Sequence, residues 1–253
     1  MKVFGEELLR FALDAGQLMM ESGAETYRVE ELIDRICLSG GLDRVDSFVT
    51  PTGIFVSIQK GKEIFSLTRR VRQRGLDLHR IEEINALSRE FASSAISVPY
   101  ASEKLKAISV LEPFPRSLRY INIALFGATF ALLFGGKPVD ALSAALLSVI
   151  LYVFGRSNWL QSTNYFFRAL FGAGLAAIGA QLLSFILPML NRDTIVIATI
   201  MQLVPGVAIT NSIRDSISGD LLSGLARASE AVFVAVAIAL GAGIGLFVAG
   251  GFL

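Results

Sequence analysis

The stretch Gln202-Leu203-Val204-Pro205-Gly206-Val207-Ala208-Ile209-Thr210-Asn211-Ser212-Ile213-Arg214-Asp215 carries the densest set of groups able to hold a polar solute. Pro205 has no amide proton to donate and Gly206 loosens the next turn, so a helix entering here breaks. Backbone groups freed in an apolar medium must find protein or water partners. Thr210, Asn211 and Asp215 come directly after, and a broken helix ringed by polar side chains at membrane depth is a solute-binding arrangement. The plainer alternative is a proline kink at an ordinary helix end. Downstream, Ser218-Gly219-Asp220 leads into Ser223-Gly224-Leu225-Ala226-Arg227-Ala228-Ser229-Glu230. Arg227 and Glu230 lie three apart on one helix face and are placed to pair. Arg227 suits a solute carboxylate, and Asp215 or Glu230 suits a coupling proton if burial raises its proton affinity. Glu230 opens a long apolar segment, where an ionisable group is expensive unless it faces a cavity, a partner or a helix N-terminus.

A second group of polar residues sits in the first half. Ser22-Gly23-Ala24-Glu25-Thr26 and Thr50-Pro51-Thr52-Gly53 are turn clusters, and Arg69-Arg70-Val71-Arg72-Gln73-Arg74 is a basic run. Turn chemistry accounts for most of the first two; the run suits a solvated loop, anionic lipid heads or an anionic solute path. Glu25, Thr26, Thr52, Arg69, Arg74 and Asp77 are candidates for a gate or vestibule. His79 is the only histidine. With Asp77 it is the only material for a Ser-His-Asp hydrolase, but neighbours two apart on a helix do not face each other. A net charge of +1 gives no argument for nucleic acid, and one cysteine with one histidine makes no disulfide or structural zinc site. No metal or cofactor is expected. No glycine loop for phosphate is present, which argues against an ATP-driven pump.

The elements that must position these groups divide the chain in two. Residues 1–119 hold 17 basic and 17 acidic residues; residues 120–253 hold 6 and 5. So uncharged a second half belongs in hydrocarbon, because a globular surface needs charges to face water. In the first half, Phe4, Leu8, Phe11, Ala15 and Leu18 mark an amphipathic helix, and Val29, Leu32, Ile33 and Ile36 a second, antiparallel to it. Val45–Thr50, Ile54–Gln59 and Glu63–Arg69 read as a three-stranded antiparallel meander. Asp77 caps a third helix carrying Leu78, Ile81, Ile84, Leu87 and Phe91, and 100–111 forms a connecting helix before Pro113 and Pro115. The acidic and basic residues near the N-terminus exclude a secretory signal. The expectation is a small cytoplasmic α+β domain over 1–115 and a transmembrane bundle of about five helices over 116–253. The spans lie between Arg119 and Lys137, Asp140 and Arg156, Arg168 and Asp193, Asp193 and Arg214, and after Glu230. A cytoplasmic N-terminus puts Arg116, Arg119, Arg156, Arg168, Arg214 and Arg227 inside, against Lys137 and Arg192 outside. It places the C-terminus outside. Ala176 with Ala180 and Gly241 with Gly245 are small pairs at helical spacing, for packing within the chain or against another subunit.

The sequence resembles the threonine/serine exporter family in its N-terminal module. The resemblance rests on Glu21–Thr26 with Val29-Glu30-Glu31, Thr50–Gly53, Thr68-Arg69-Arg70, Arg74–Leu78, Leu133–Gly136 with Asp140, Leu203–Gly206, Thr210-Asn211, Arg214-Asp215, Gly219-Asp220 and Ser223–Arg227 with Glu230. It implies a secondary exporter of small polar solutes, threonine and serine or small dicarboxylates such as succinate, driven by the proton gradient across a bacterial inner membrane. It also implies a split, two-chain form: full-length members append a second membrane module, whereas this chain ends after its fifth expected span. The expected partners are a small polytopic membrane subunit, the bilayer and a small solute, with a homo-oligomer of the pair as a further form. The alternative is a membrane-anchored hydrolase or sensor acting through the N-terminal domain.

Overall fold

The computed structural model describes residues 2–72, 75–93, 96–111, 114–161 and 163–252. The chain is mostly helical with one small sheet, and it forms two compact units: residues 1–113 with 209–228, and residues 114–208 with 229–253.

The first unit opens with helices α1 (Lys2–Glu21) and α2 (Thr26–Ser39). Strands β1 (Arg44–Thr50), β2 (Gly53–Lys60) and β3 (Glu63–Arg70) form the antiparallel meander in the order β1-β2-β3, with Val49 opposite Ile54 and Gly53 opposite Arg70. Alternation settles its faces: Val49, Ile54, Val56 and Ile58 are buried, while Phe48 and Phe55 pair across the exposed face. Helices α3 (Leu78–Ala92) and α4 (Val98–Val110) complete the layer, and the core runs through Leu8, Phe11, Leu32, Ile36, Ile54 and Ile84. Asp77 caps α3 by accepting from the Arg80 amide at 2.9 Å. Cys37 is fully buried in this core, and burial pushes its thiol up to about 12.

The second unit contains α5 (Arg116–Leu133), α6 (Pro138–Gly155), the short α7 (Asn158–Gln161), α8 (Tyr165–Ile186) and α9 (Arg192–Ile200). A 3₁₀ turn, Met201–Leu203, comes after α9; helices α10 (Gly206–Ile217) and α11 (Leu221–Phe252) complete the chain. Among the described residues, α6, α8 and α11 are long and apolar enough to cross a membrane. A fourth crossing is reached if Arg192–Leu203 and Gly206–Ile217, bent by 50°, count as one broken span. The expected five are not reached by length and apolarity, because α5 carries Arg116 and Arg119 in its first turn. The break falls at Val204-Pro205, where the missing amide predicts it.

Small residues set the helix spacing in this unit. A Cβ on Gly127 of α5 would collide with Ser148 Oγ and stand 2.7 Å from the Ala144 carbonyl of α6. Gly245 of α11 is as tight, 2.6 Å from the Gly174 carbonyl of α8, so the glycine pair of α11 serves packing within the chain. Replacing Gly127 with valine should therefore destabilise the protein by about 1–3 kcal/mol, read as a lower melting temperature in detergent. Gly155→Ala, where a Cβ meets nothing within 4 Å, should leave the melting temperature unchanged.

Candidate functional site

The site begins at the turn after α1. Ser22 Oγ donates to the Leu18 carbonyl at 2.7 Å, and Gly23 takes a left-handed backbone, φ +91°. The chain before α3 zips onto this turn: the Gly75 amide donates to the Glu21 carbonyl at 2.8 Å and the Asp77 amide to Ser22 at 3.0 Å. A Cβ on Gly23 would lie 2.7 Å from the Gly75 carbonyl, so both the conformation and the space demand glycine. The carbonyls thus fixed are read from far along the chain. Asn211 Nδ2 donates to Gly23 O at 2.9 Å, and Arg227 Nη2 donates to Ala24 O at 2.7 Å.

At the centre lies Asp215, fully buried. Its Oδ1 accepts from the Thr26 amide at 3.1 Å and from Thr26 Oγ1 at 3.0 Å. Its Oδ2 faces Arg227 Nε at 2.9 Å, with both side chains buried. Burying such a pair has a desolvation cost that further polar contacts offset: Thr26 bonds Oδ1 and Arg227 Nη2 bonds the Ala24 carbonyl, while Oδ2 and Nε meet as an ion pair without hydrogen-bond alignment. Thr26 Oγ1 also lies 2.7 Å from Asp220 Oδ2, and Asp220 Oδ1 accepts from the Ser223 amide at 3.3 Å, capping α11. A hydroxyl has one proton, so Thr26 donates to one carboxylate at a time. The second contact becomes a hydrogen bond when that carboxyl carries a proton and donates to Oγ1. Gly219, at φ +94°, makes the turn that brings the two aspartates together, and a Cβ on Gly224 would collide with Ser216 Oγ, so α10 and α11 touch closely.

Glu25, 4 % exposed, accepts from Arg214 Nη1 at 2.5 Å and lies 3.4 Å from Arg28 Nη1. Burial pushes its carboxyl up, but backbone hydrogen bonding, Arg214 and Arg28 together hold it below the usual range. Glu30 goes the other way. Burial raises it, helped by the charges of Asp220, Asp34 and Asp215, and the 2.8 Å hydrogen bond from the Val49 amide only partly opposes this.

Of the residues singled out from the sequence, Glu25, Thr26, Asn211, Asp215, Asp220 and Arg227 come together in the first unit, although α2 and α10 are almost 190 positions apart. Thr210 faces outward on α10, Pro205 and Gly206 mark the break, and Glu230 is half-buried on α11 in the second unit. Thr52 sits in the exposed β1–β2 turn, and Arg69 of β3 pairs with Asp14 at 2.8 Å. Asp77 serves as the α3 cap and His79 lies exposed in the first turn of that helix. Arg74 lies outside the described residues. Sequence reasoning passed over Arg214 and Glu30 as site residues; only the i,i+4 spacing of Asn211 and Asp215 hints at a face needing partners. It also passed over Asp140, buried in the second unit, whose two oxygens accept from the Lys137 and Asn191 amides at 2.8 Å each. A cavity of about 520 Å³ adjoins that staple, with Lys137, Gln181 and Arg192 in its wall. Among the described residues no cluster of three or more metal-ligating side chains occurs.

Residues 10–249 match a family profile described as "Putative threonine/serine exporter". A protein of Mycobacterium tuberculosis (strain ATCC 25618 / H37Rv) named "Probable threonine/serine exporter" is 27 % identical over 238 residues, covering 93 % of this chain and 45 % of that protein. The chain thus spans about half the length of that relative. The "Probable succinate transporter subunit YjjP" of Escherichia coli (strain K12) is 23 % identical over 237 residues, 92 % of this chain and 91 % of that protein. Its namesake in Klebsiella aerogenes is also 23 % identical, over 90 % of its own length. All of these descriptions are of transport proteins and none is of an enzyme. No solved structure matches.

Asp215→Asn removes the charge facing Arg227 and should destabilise the full chain by about 3–5 kcal/mol in detergent denaturation, against about 1–3 for Thr26→Val. Glu30 gives a test with a sign. A carboxyl raised in the folded state favours folding at low pH, and that advantage is lost as pH rises through its folded value. Glu30→Gln keeps an acceptor for Val49, so it should melt higher than the parent at pH 7, with the difference closing towards about pH 4.

Proposed function

The chain belongs to the threonine/serine exporter family, and we propose that it is one subunit of a proton-coupled secondary transporter carrying small polar solutes out of the cell. The solutes are threonine- and serine-like amino acids or small dicarboxylates, in keeping with the names its relatives bear. The name "subunit" borne by the two YjjP relatives supports a second polytopic membrane chain as partner. The subunit lies in the bacterial inner membrane, with residues 1–115 cytoplasmic and the C-terminus outside, which the bias of arginines along the second half supports. Its crossings are α5, α6, α8, the bent α9–α10 pair and α11, the arginines of α5 lying among the lipid headgroups.

The observation that carries this reading is the buried set Thr26, Asp215, Asp220 and Arg227. One guanidinium, one hydroxyl and two carboxylates share too few protons to satisfy every short contact, so binding a proton changes who bonds to whom. In the proposed cycle, Asp215 holds Arg227 while ionised. A proton taken up by Asp215 neutralises it, and Arg227 then becomes the partner of a solute carboxylate. Thr26 passes its hydrogen bond to Asp220 in the same step. A resting pair that yields to solute only when protonated ties the two fluxes together.

The test uses vesicles holding this chain and its partner, loaded with labelled threonine, serine or succinate, under an imposed pH gradient. Arg227→Gln should abolish flux, and Asp215→Asn should leave residual flux that no longer responds to the gradient. Gradient-dependent transport at the parental rate in both Asp215→Asn and Asp220→Asn would remove the carboxylates from the mechanism.

A further inference from the structure

We propose that the cavity between the start of α5 and the end of α6 is a binding site for the phosphodiester headgroup of an anionic phospholipid. The cavity measures about 150 Å³ and is lined by Arg116, Arg119, Tyr120, Tyr152 and Arg156; none of these described lining residues is acidic. Its walls are organised. Arg156 Nη1 donates to the Tyr152 hydroxyl at 3.3 Å, and the guanidinium carbon stands 5.8 Å from the centre of the same ring. Tyr120 meets Tyr152 edge-on, with centroids 5.7 Å apart and planes at 84°. Arg119 Nε donates to the Phe114 carbonyl at 3.1 Å. These contacts hold two guanidinium groups and two phenols around one space.

Guanidinium groups donate and never accept, and their planar forks match phosphate oxygens bidentately. Three of them beside two phenol hydroxyls select an oxyanion. The volume fits a phosphate group, since it equals about five waters at roughly 30 Å³ each. The same helices argue for a lipid over free phosphate. Leu118, Ile121 and Leu125 of α5 and Ile150 and Val153 of α6 are large, apolar and exposed. A headgroup seated among the arginines would lay its acyl chains on that surface, and tyrosines hold the headgroup level of a bilayer. The inference rests on the membrane reading of α6, an apolar 18-residue helix. A chain that stayed water-soluble without detergent would remove that premise, independently of any result for the arginines.

The test measures retention of lipid by the full chain in mild detergent, by native mass spectrometry and by thermal melting, with added phosphatidylglycerol, phosphatidylcholine or inorganic phosphate. Phosphatidylglycerol should remain bound and raise the melting temperature, whereas phosphatidylcholine should do neither. The Arg119→Gln, Arg156→Gln double variant should bind phosphatidylglycerol roughly thirtyfold more weakly. A control of equal charge, Arg10→Gln with Arg44→Gln, should bind as the parent does. Arg156→Lys, which keeps charge but loses the fork, should fall between them and covers the case in which the double variant does not fold. Equal retention by the double variant and its control would overturn the site, and equal stabilisation by inorganic phosphate at the same concentration would overturn the assignment to lipid.

Discussion

A single buried carboxylate organises the first unit. Asp215 has no access to water, so every lone pair it keeps must be met by protein. The Thr26 amide and hydroxyl bond one oxygen and Arg227 forms an ion pair with the other, which ties together the N-terminus of α2, the last turn of α10 and the first turns of α11. The neighbouring features serve to hold that carboxylate in place. Gly23 gives the turn that exposes two carbonyls, Gly219 gives the turn that returns the chain, and Gly224 lets the two late helices approach. Replacing such a pair by an apolar cluster of the same volume is often neutral for stability, so cohesion alone does not require charge at this position.

Much of the architecture could be read from local pattern. The apolar spacing of α1 and α2, the alternation in β2 and the cap at Asp77 are short-range signals, and the observed elements agree with them to within a few residues. The break at Pro205 is likewise a local fact, a missing amide. The hidden part is long-range. Residues 209–228 look, in sequence, like the polar end of a membrane segment, yet they fold with residues 1–113. Periodicity shows that Asn211 and Asp215 share a face but not that Thr26 and the Gly23 carbonyl wait opposite. Charge and polarity picked out six residues that the fold brings together, but not the contacts of Arg227 with Asp215 and the Ala24 carbonyl. Short spans were the other weak point, because arginines in the first turn of α5 dilute a segment of only 18 residues.

In the second unit the organising feature is the absence of side chains. Gly127 against Ala144, and Gly241 and Gly245 against the backbone of α8, bring helices to distances at which carbonyls and Cα hydrogens touch. Hydrocarbon supplies no hydrophobic drive to push these helices together, so close fit must do it. Asp140 adds a strong polar tie, binding two connections through their amides. Rigid packing there and a charge-based knot in the first unit are two different ways of holding helices.

Cys37 has a practical consequence. Its thiol has no exposed surface and, held up to about 12, supplies almost no thiolate at neutral pH, so maleimides and similar reagents should pass it by. The native chain is therefore already silent to thiol chemistry. A cysteine introduced at any exposed position would report its own accessibility from either face of a membrane, with no need to disturb the core by replacing the natural one.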